Sequence, residues 1–319
     1  MGRWKRLKGK NAFLIFSILI FFVMFYFLSF PVEPIKSVYT KVSVITRESS
    51  SEAIVNLQQG LEQAANDMDV EMSLVTLSEQ NNAQEQQKLI EREINSGAEA
   101  IIITPVEDKE LKSTIQTAIE IVPIIYMGST IQDTIVSDVV LGQDEEMGKE
   151  LGRKIFVKGI FNKKILLLES SPNCEAINQR KMALLSMLEK RAKAMIRQEF
   201  DRNVNLEQKI QQIEPDIIIA LEPTVLDIAA ETVQRLQKDN IMVYGFGMTT
   251  KTPSYIEKED ITAAMIQNDF NLGYLSMYAA METLHKIEKK EEGRIDYAFV
   301  NRHNMYTKEN QRKLFPFVR

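Results

Sequence analysis

Cysteine and histidine are scarce in this chain of 319 residues. It contains one cysteine, Cys174, and two histidines, His285 and His303. A single cysteine excludes an intramolecular disulfide, so we expect an unreactive thiol that is buried or half-exposed. The two histidines lie far apart and have no neighbours at metal-binding spacing. The sequence therefore predicts no metal site and no cofactor.

Motifs of the common enzyme classes are also missing. The chain has no G-x-S-x-G nucleophile elbow and no G-x-x-x-x-G-K-[ST] phosphate loop. The segment Gly245-Phe246-Gly247 is too short to be a dinucleotide-binding fingerprint. We therefore predict that the protein is not an enzyme.

Positive charge is concentrated at the N-terminus and lacking elsewhere. The first ten residues contain five arginines and lysines, whereas the whole chain has a formal net charge of −5. The rest of the chain therefore carries about −10. Because a nucleic-acid-binding surface needs a basic stripe, this balance predicts no nucleic-acid partner.

One long apolar run follows the basic N-terminus. Ala12 to Phe30 is apolar apart from two serines and a tyrosine, and as a helix it would extend roughly 28 Å, the thickness of a bilayer core. We predict a cytoplasmic basic segment at 1–10, a transmembrane anchor at 11–30, a linker at 31–39 and an extracytoplasmic domain beyond. A cleaved signal peptide is the alternative, although no small-x-small cleavage site is present.

The stretch from Gly97 to Pro105 indicates the class of fold. Its four central residues, Ala100-Ile-Ile-Ile103, are all apolar, which is typical of a strand buried on both faces of a parallel sheet. A helix at 83–96 precedes this strand and should end at Gly97. Proline at position 105 ends the strand. Since ligands collect at the carboxyl ends of such strands, we expect Thr104 to face a cleft.

Strands and helices alternate along the rest of the chain in the same way. We predict strands at 41–46, 71–77, 100–103, 122–127, 164–168, 194–200, 216–220, 241–245, 262–266 and 296–300, and helices at 52–66, 83–96, 111–120, 145–156, 176–190, 206–213, 226–237 and 272–289. This order predicts an α/β protein with two doubly wound, Rossmann-like lobes that are joined by a hinge.

Several segments resemble the ribose/galactose type of class I periplasmic sugar-binding proteins. The segments, in chain order, are INSGAEAIIITP, VPIIYMG, IIALEP, MVYGFG, TAAMIQNDFNLG and YTKEN. The resemblance implies a periplasmic binding protein-like I fold, with residues 40–142 and 268–297 in the first lobe and 143–267 and 298–319 in the second. The same fold carries the effector domains of LacI-type repressors, but here the membrane anchor replaces their DNA-binding helices.

The resemblance also implies candidate ligand-binding residues. Arg180 and Gln267 stand where the family has a ligand-binding arginine and a hinge-side amide, and Glu222 stands where it usually has asparagine. Ser51 and Ser129, in the loops after the first and fourth strands, complete the predicted site. Four of these residues also have a structural alternative: a surface charge for Arg180, a hinge contact for Gln267, and helix capping for Glu222 and Ser51.

Other positions depart from the family pattern. Ala53 and Ile54 replace an expected aromatic pair, and Gly247 replaces an expected aspartate. We therefore predict an extracytoplasmic solute-binding protein that closes on a small polar ligand such as a sugar and presents it to an ABC permease or a sensor histidine kinase. The alternative is an interaction module whose cleft no longer binds a small molecule.

Overall fold

The computed structural model divides the chain into two units, residues 1–39 and 40–319. It describes residues 20–21, 24–25, 39–106, 109–160, 162–170, 174–200, 204–287 and 294–315. In the first unit Ile20, Phe21, Met24 and Phe25 are helical and at least half exposed. The rest of the predicted anchor at 11–30, the basic segment and most of the linker lie outside the described residues. No helix within the described part of the chain is both long and apolar enough to cross a membrane.

The second unit begins with a parallel sheet of five strands. The strands are β1 (Thr40–Ile45), β2 (Val70–Val75), β3 (Ala100–Ile103), β4 (Ile124–Met127) and β5 (Asp138–Val140), in the spatial order β2-β1-β3-β4-β5. All four residues of β3 are fully buried, as its apolar run predicts. Ile102 packs into the core on one face of the sheet, and Ile101 and Ile103 pack into the core on the other face.

A second sheet of six strands follows. Its strands are β6 (Lys164–Glu169), β7 (Ala194–Glu199), β8 (Ile217–Ala220), β9 (Met242–Phe246), β10 (Ala263–Gln267) and β11 (Tyr297–Val300), in the order β11-β10-β9-β8-β6-β7. Only β11 runs antiparallel to its neighbour, β10. Both sheets therefore have parallel strands whose carboxyl ends share one edge, which is where a ligand cleft forms.

Helices cover both faces of each sheet. They are α1 (Val55–Asp67), α2 (Ala83–Asn95), α3 (Lys109–Ala118), α4 (Asp144–Val157), α5 (Glu175–Leu188), α6 (Leu206–Ile213), α7 (Pro223–Arg235), α8 (Thr252–Glu257), α9 (Asp269–His285) and α10 (Lys308–Leu314). Helices α1 and α9 pack on one face of the first sheet, and α2 and α3 pack on the other. Helices α4 and α5 cover one face of the second sheet, opposite α6, α7, α8 and α10. The predicted two-lobed α/β fold is confirmed.

The predicted strands and helices are all present, with ends shifted by a few residues. Gly97 ends α2 with a φ of +87°, a conformation that glycine adopts without strain. Three elements were not predicted, namely β5, α8 and α10. Each has seven residues or fewer, which is too short to show a clear apolar period.

The chain passes between the sheets at three neighbouring segments. Helix α9 covers the first sheet, although β10 before it and β11 after it belong to the second. Asn268 donates two hydrogen bonds of 2.9 Å to Asp296. Its backbone N–H donates to the backbone carbonyl of Asp296, and its side-chain amide donates to the carboxylate. The side chain of Gln143 donates to the carbonyl of Ile295. The crossing segments are therefore hydrogen-bonded to one another. The predicted boundaries between the lobes, at 142/143, 267/268 and 297/298, stay predictions.

Helices α1 and α9 approach closely because each has a glycine at their contact. A Cβ atom added to Gly60 would lie 1.9 Å from the carbonyl oxygen of Phe270, and one added to Gly273 would lie 2.3 Å from that of Leu57. Backbone atoms cannot move away as a flexible side chain does. This contact therefore requires glycine on both helices.

We expect Gly60→Val to lower the free energy of unfolding by about 3 kcal/mol, because the new side chain would push α1 away from α9. Chemical denaturation followed by circular dichroism would measure this loss. The control is Asn66→Val, which places valine at an exposed position of the same helix. Equal stability of the two variants would contradict the close helix contact.

Candidate functional site

A cavity of about 110 Å³ lies between the two lobes, at the carboxyl ends of their strands. The first lobe contributes residues that follow β1, β3 and β4, including Arg47, Thr104 and Ser129. The second lobe contributes Arg180 from α5 and Pro223 from the start of α7. The expected exposure of Thr104 to a cleft is confirmed.

Arg47 connects the two lobes beside this cavity. It follows β1 by two residues and is 7% exposed. Its Nη2 atom lies 2.7 Å from a carboxylate oxygen of Glu222 in the second lobe and 3.0 Å from one of Glu48, and its Nη1 atom donates to Asn81 at 3.0 Å. Burial acts to lower the pKa of Arg47, but the carboxylates of Glu48 and Glu222 outweigh it and raise this pKa. The guanidinium therefore stays charged inside the protein.

Arg180 is held by a carboxylate from a neighbouring helix. Its Nε atom donates to Asp144, the first residue of α4, which is 4% exposed. Its guanidinium also lies 5.7 Å from the centre of the Phe246 ring, at the end of β9. These contacts fix the side chain while it still lines the cavity.

Gln267 and Asp269 form the wall nearest the crossing segments. Gln267 ends β10, is 8% exposed and donates from Nε2 to Asp269 at 2.9 Å. Its Oε1 atom is buried and accepts no hydrogen bond. Burial raises the pKa of Asp269, and burial likewise raises that of Glu48. The partly buried carboxylate of Asp269 thus contacts the amide nitrogen of Gln267, while the amide oxygen stays without a partner.

Ser129 makes a further contact between the lobes. It follows β4 in the first lobe, and its hydroxyl accepts a hydrogen bond from the amide of Ala176 in α5 at 3.3 Å. The same hydroxyl lies 3.4 Å from the sulfur of Cys174. Cys174 is a free, buried thiol, as expected. The lobes are therefore in direct contact at Ser129 as well as at Arg47.

The structure brings together most of the residues that the sequence singled out. Ser129, Arg180 and Gln267 line the cavity, and Glu222 lies beside it through its bond to Arg47. Ser51 is exposed on a short 3-10 turn and is not among the lining residues. Their role in ligand binding stays a prediction.

Two of the structural alternatives are wrong, namely the helix cap at Ser51 and the surface charge at Arg180. The helix cap at Glu222 is correct only in part. Glu222 is the N-cap residue of α7, but its carboxylate makes no capping bond because it faces Arg47 instead. Ser51 caps no helix, since α1 begins at Val55 with Ile54 as its N-cap residue. Arg180 is only 12% exposed, so it is not a surface charge.

Sequence reasoning missed Arg47, Glu48, Asp144 and Asp269 as members of the site. The adjacent charges of Arg47 and Glu48 directly after a buried strand were the available signal. Asp144 and Asp269 begin helices, where an acidic residue is common for a different reason, namely the helix dipole. Among the described residues no aromatic side chain lines the cavity, in line with the loss of the aromatic pair at Ala53 and Ile54.

Other parts of the described structure offer less. A larger groove of about 270 Å³ between α2 and α3 has Glu91 as its one charged lining residue and lies away from the contact between the lobes. Within the described residues, no group of three or more histidine, cysteine, aspartate or glutamate side chains is arranged to hold a metal ion. The cavity between the lobes is therefore the best candidate site.

Known proteins share this architecture. The family model described as the periplasmic binding protein domain matches residues 42–288. The ribose import binding protein RbsB of Bacillus subtilis (strain 168) is 24% identical over 244 residues, which cover 74% of this chain and 79% of RbsB.

Solved structures are similar in fold at low sequence identity. A carbohydrate transporter solute binding protein from Agrobacterium radiobacter, in complex with D-arabinose, has a TM-score of 0.79 at 15% identity and covers 88% of this chain and 100% of its own. An ABC transporter solute binding protein from Agrobacterium vitis, bound with α-D-tagatopyranose, has a TM-score of 0.78 at 16% identity, with coverages of 86% and 98%. The XylFII–LytSN complex has a TM-score of 0.74 at 16% identity, and the match covers 83% of this chain and 99% of the chain in that complex.

The chain belongs to the periplasmic binding protein domain family, because the family model matches most of its length. The protein is therefore an extracytoplasmic solute-binding protein and not an enzyme, as the sequence predicts.

We expect Arg47→Met to weaken the contact between the lobes, because it leaves two carboxylates, those of Glu48 and Glu222, without this guanidinium. Removal of one partner from a buried ion pair costs about 3–5 kcal/mol, although opening of the cleft would hydrate the carboxylates and reduce this cost. Hydrogen exchange at the amide of Ala176, which binds Ser129 across the cleft, should become at least tenfold faster. The matched control is Arg153→Met, at an exposed arginine of α4. Unchanged exchange in Arg47→Met would contradict the connecting role of Arg47.

Proposed function

We propose that this protein is a membrane-anchored, extracytoplasmic binding protein that closes on a small polar ligand and presents it to a membrane partner. The observation that carries this proposal is the convergence of charged and amide side chains from both lobes on one cavity. Three linked crossing segments give the lobes a hinge. Hinge closure around a ligand is a common motion of such two-lobed proteins.

The lining residues favour a ligand that is rich in hydroxyl groups. Arginine, carboxylate, amide and hydroxyl side chains can pair with buried hydroxyls, each of which would otherwise cost about 1–3 kcal/mol. The volume of about 110 Å³ corresponds to roughly four waters at about 30 Å³ each, so only a small ligand fits the cleft in this state. The names of RbsB and of the D-arabinose and tagatopyranose complexes support a sugar ligand. We assign Ser129, Arg180, Glu222 and Gln267 to this site, together with Arg47 and Asp269, while the geometry gives Ser51 no support.

The proposed membrane anchor is supported by the sequence, and the proposed membrane partner is supported by the similar proteins. The apolar run at 11–30 follows a basic segment, and the described residues within it are exposed and apolar. Two of the similar structures are named as transporter binding proteins, which supports an ABC permease as partner. The XylFII–LytSN complex shows that a protein of this fold also binds a second protein, and a sensor histidine kinase is the corresponding partner proposed here.

One observation favours the second candidate function, an interaction module without a small-molecule ligand. The lobes already contact each other through Arg47–Glu222 and Ser129–Ala176, both made by the protein itself. A cleft that closes on its own charges would not need a ligand to close. Ligand binding therefore has to be measured directly.

The test is a thermal-shift screen of the full-length protein in detergent against pentoses, hexoses, polyols and nucleosides. A binder at 100 times its dissociation constant adds about 2.7 kcal/mol to the free energy of unfolding. We expect a sugar to raise the melting temperature and Arg180→Ala to abolish this rise, since it removes a buried donor from the cavity. The control is Arg153→Ala, which should respond as the wild type does. A well-folded protein that responds to no compound would favour the interaction module.

The orientation in the membrane has its own test. A periplasmically active reporter enzyme fused after Arg319 should be active, because the basic segment at 1–10 holds the N-terminus in the cytoplasm. Replacement of the five basic residues of this segment by glutamine should reduce that activity. Activity of a cytoplasm-specific reporter at the same position would contradict the proposed orientation.

A further inference from the structure

The charged side chains at the cavity are not balanced. Six of them lie at its wall or directly behind it among the described residues: Arg47, Arg180, Glu48, Glu222, Asp144 and Asp269. Two positive charges thus face four negative ones, which leaves a charge of −2 when all six are ionised. A closed cleft excludes water, so a charge imbalance of this kind is costly unless a carboxylate takes up a proton or a bound group compensates the charge.

The excess negative charge can be located. Glu222 contacts the guanidinium of Arg47, and Asp144 contacts the guanidinium of Arg180. Glu48 shares Arg47 with Glu222. Asp269 forms no ion pair with a lysine or arginine of the described residues, and its side chain accepts from the amide of Gln267. The uncompensated charge therefore belongs to Glu48 and Asp269, which both line the cavity.

The pKa directions agree with this assignment. Burial raises the pKa of Glu48, and the negative charges of Glu222 and Asp269 raise it further, against the opposing effects of Arg47 and Arg180. Burial is also the main cause of the raised pKa of Asp269, and it outweighs the lowering effects of the Gln267 hydrogen bond and of Arg180. Each carboxylate is thus less stable in its ionised form than it would be in water, and a nearby cation would stabilise it.

An independent observation points to a ligand that donates hydrogen bonds. Gln267 is 8% exposed, lines the same cavity next to Asp269, and leaves its Oε1 atom without a hydrogen-bond partner. This oxygen lies against Gly142, where a Cβ atom would be only 1.9 Å away, so the missing side chain at Gly142 makes room for it. A buried acceptor without a donor costs about 1–3 kcal/mol.

Resting on the proposed function, we propose that the ligand is a sugar-like molecule with a protonated amino group, which lies between Glu48 and Asp269. An ammonium group has three donors and no acceptor, and charge-assisted bonds to carboxylates are the stronger hydrogen bonds of proteins. Hydroxyl groups of the same ligand supply a donor to Gln267. The two arginines keep their own carboxylates and bind the remaining hydroxyl oxygens.

Matched sugars test this inference on the full-length protein in detergent. D-glucosamine, D-galactosamine and D-mannosamine are compared by calorimetry at pH 6.5 with the neutral parent hexoses and with the N-acetylated forms, which have the same ring but no charge. We expect at least one amino sugar to bind at least tenfold more tightly than its parent and its N-acetyl form. Asp269→Asn and Glu48→Gln should each remove most of this preference, whereas Asp239→Asn, at an exposed position, should retain it.

The outcomes separate this inference from the proposed function. Neutral hexoses or pentoses that bind as tightly as the amino sugars would overturn the inference and leave the proposed sugar site intact. Binding of neither amino nor neutral sugars would overturn both. An amino-sugar preference that persists in both carboxylate variants would overturn the assignment to Glu48 and Asp269.

Discussion

The ion pair between Arg47 and Glu222 places opposite charges from two lobes in a nearly dry contact. A buried guanidinium is stable only where carboxylates and other acceptors surround it, and Glu48, Glu222 and Asn81 provide these acceptors. This requirement fixes the loop after β1 against the start of α7. The position of the cleft and part of its charge depend on that contact.

The rest of the fold serves to present such charges at one edge. Parallel strands place their carboxyl ends together, and the fully buried β3, β4 and β8 form the rigid centres of the two sheets. Close glycine contacts hold α1 against α9 beside the first sheet. Bonds between the three crossing segments keep them adjacent while their own dihedral angles can change. Rigid lobes on a linked hinge are what a closing cleft needs.

The sequence predicted the fold well because the fold depends on local patterns. Runs such as Ala100–Ile103 and Ile217–Ala220 are typical of buried strands, and several of the helices between them have a clear apolar face. The site was harder to predict, since its contacts join residues that lie far apart in the chain. Glu222 was identified as a candidate, but nothing in its neighbourhood shows that Arg47 is its partner. Ser51 was chosen from the correct loop and lies on its exposed side, because loop residues have no period that assigns them to a face.

In the proposed function, the two lobes move as units about the hinge when a solute enters the cleft. The native cysteine, Cys174, is buried, so spin labels can be placed selectively at the exposed positions Lys88→Cys on α2 and Gln208→Cys on α6. Pulsed electron resonance would give the distance distribution between the two lobes, without solute and with saturating amounts of neutral and amino sugars. Hinge closure predicts that at least one of these sugars shifts the distribution to a shorter, narrower distance. A single distribution that none of them changes, in a folded protein, would contradict it.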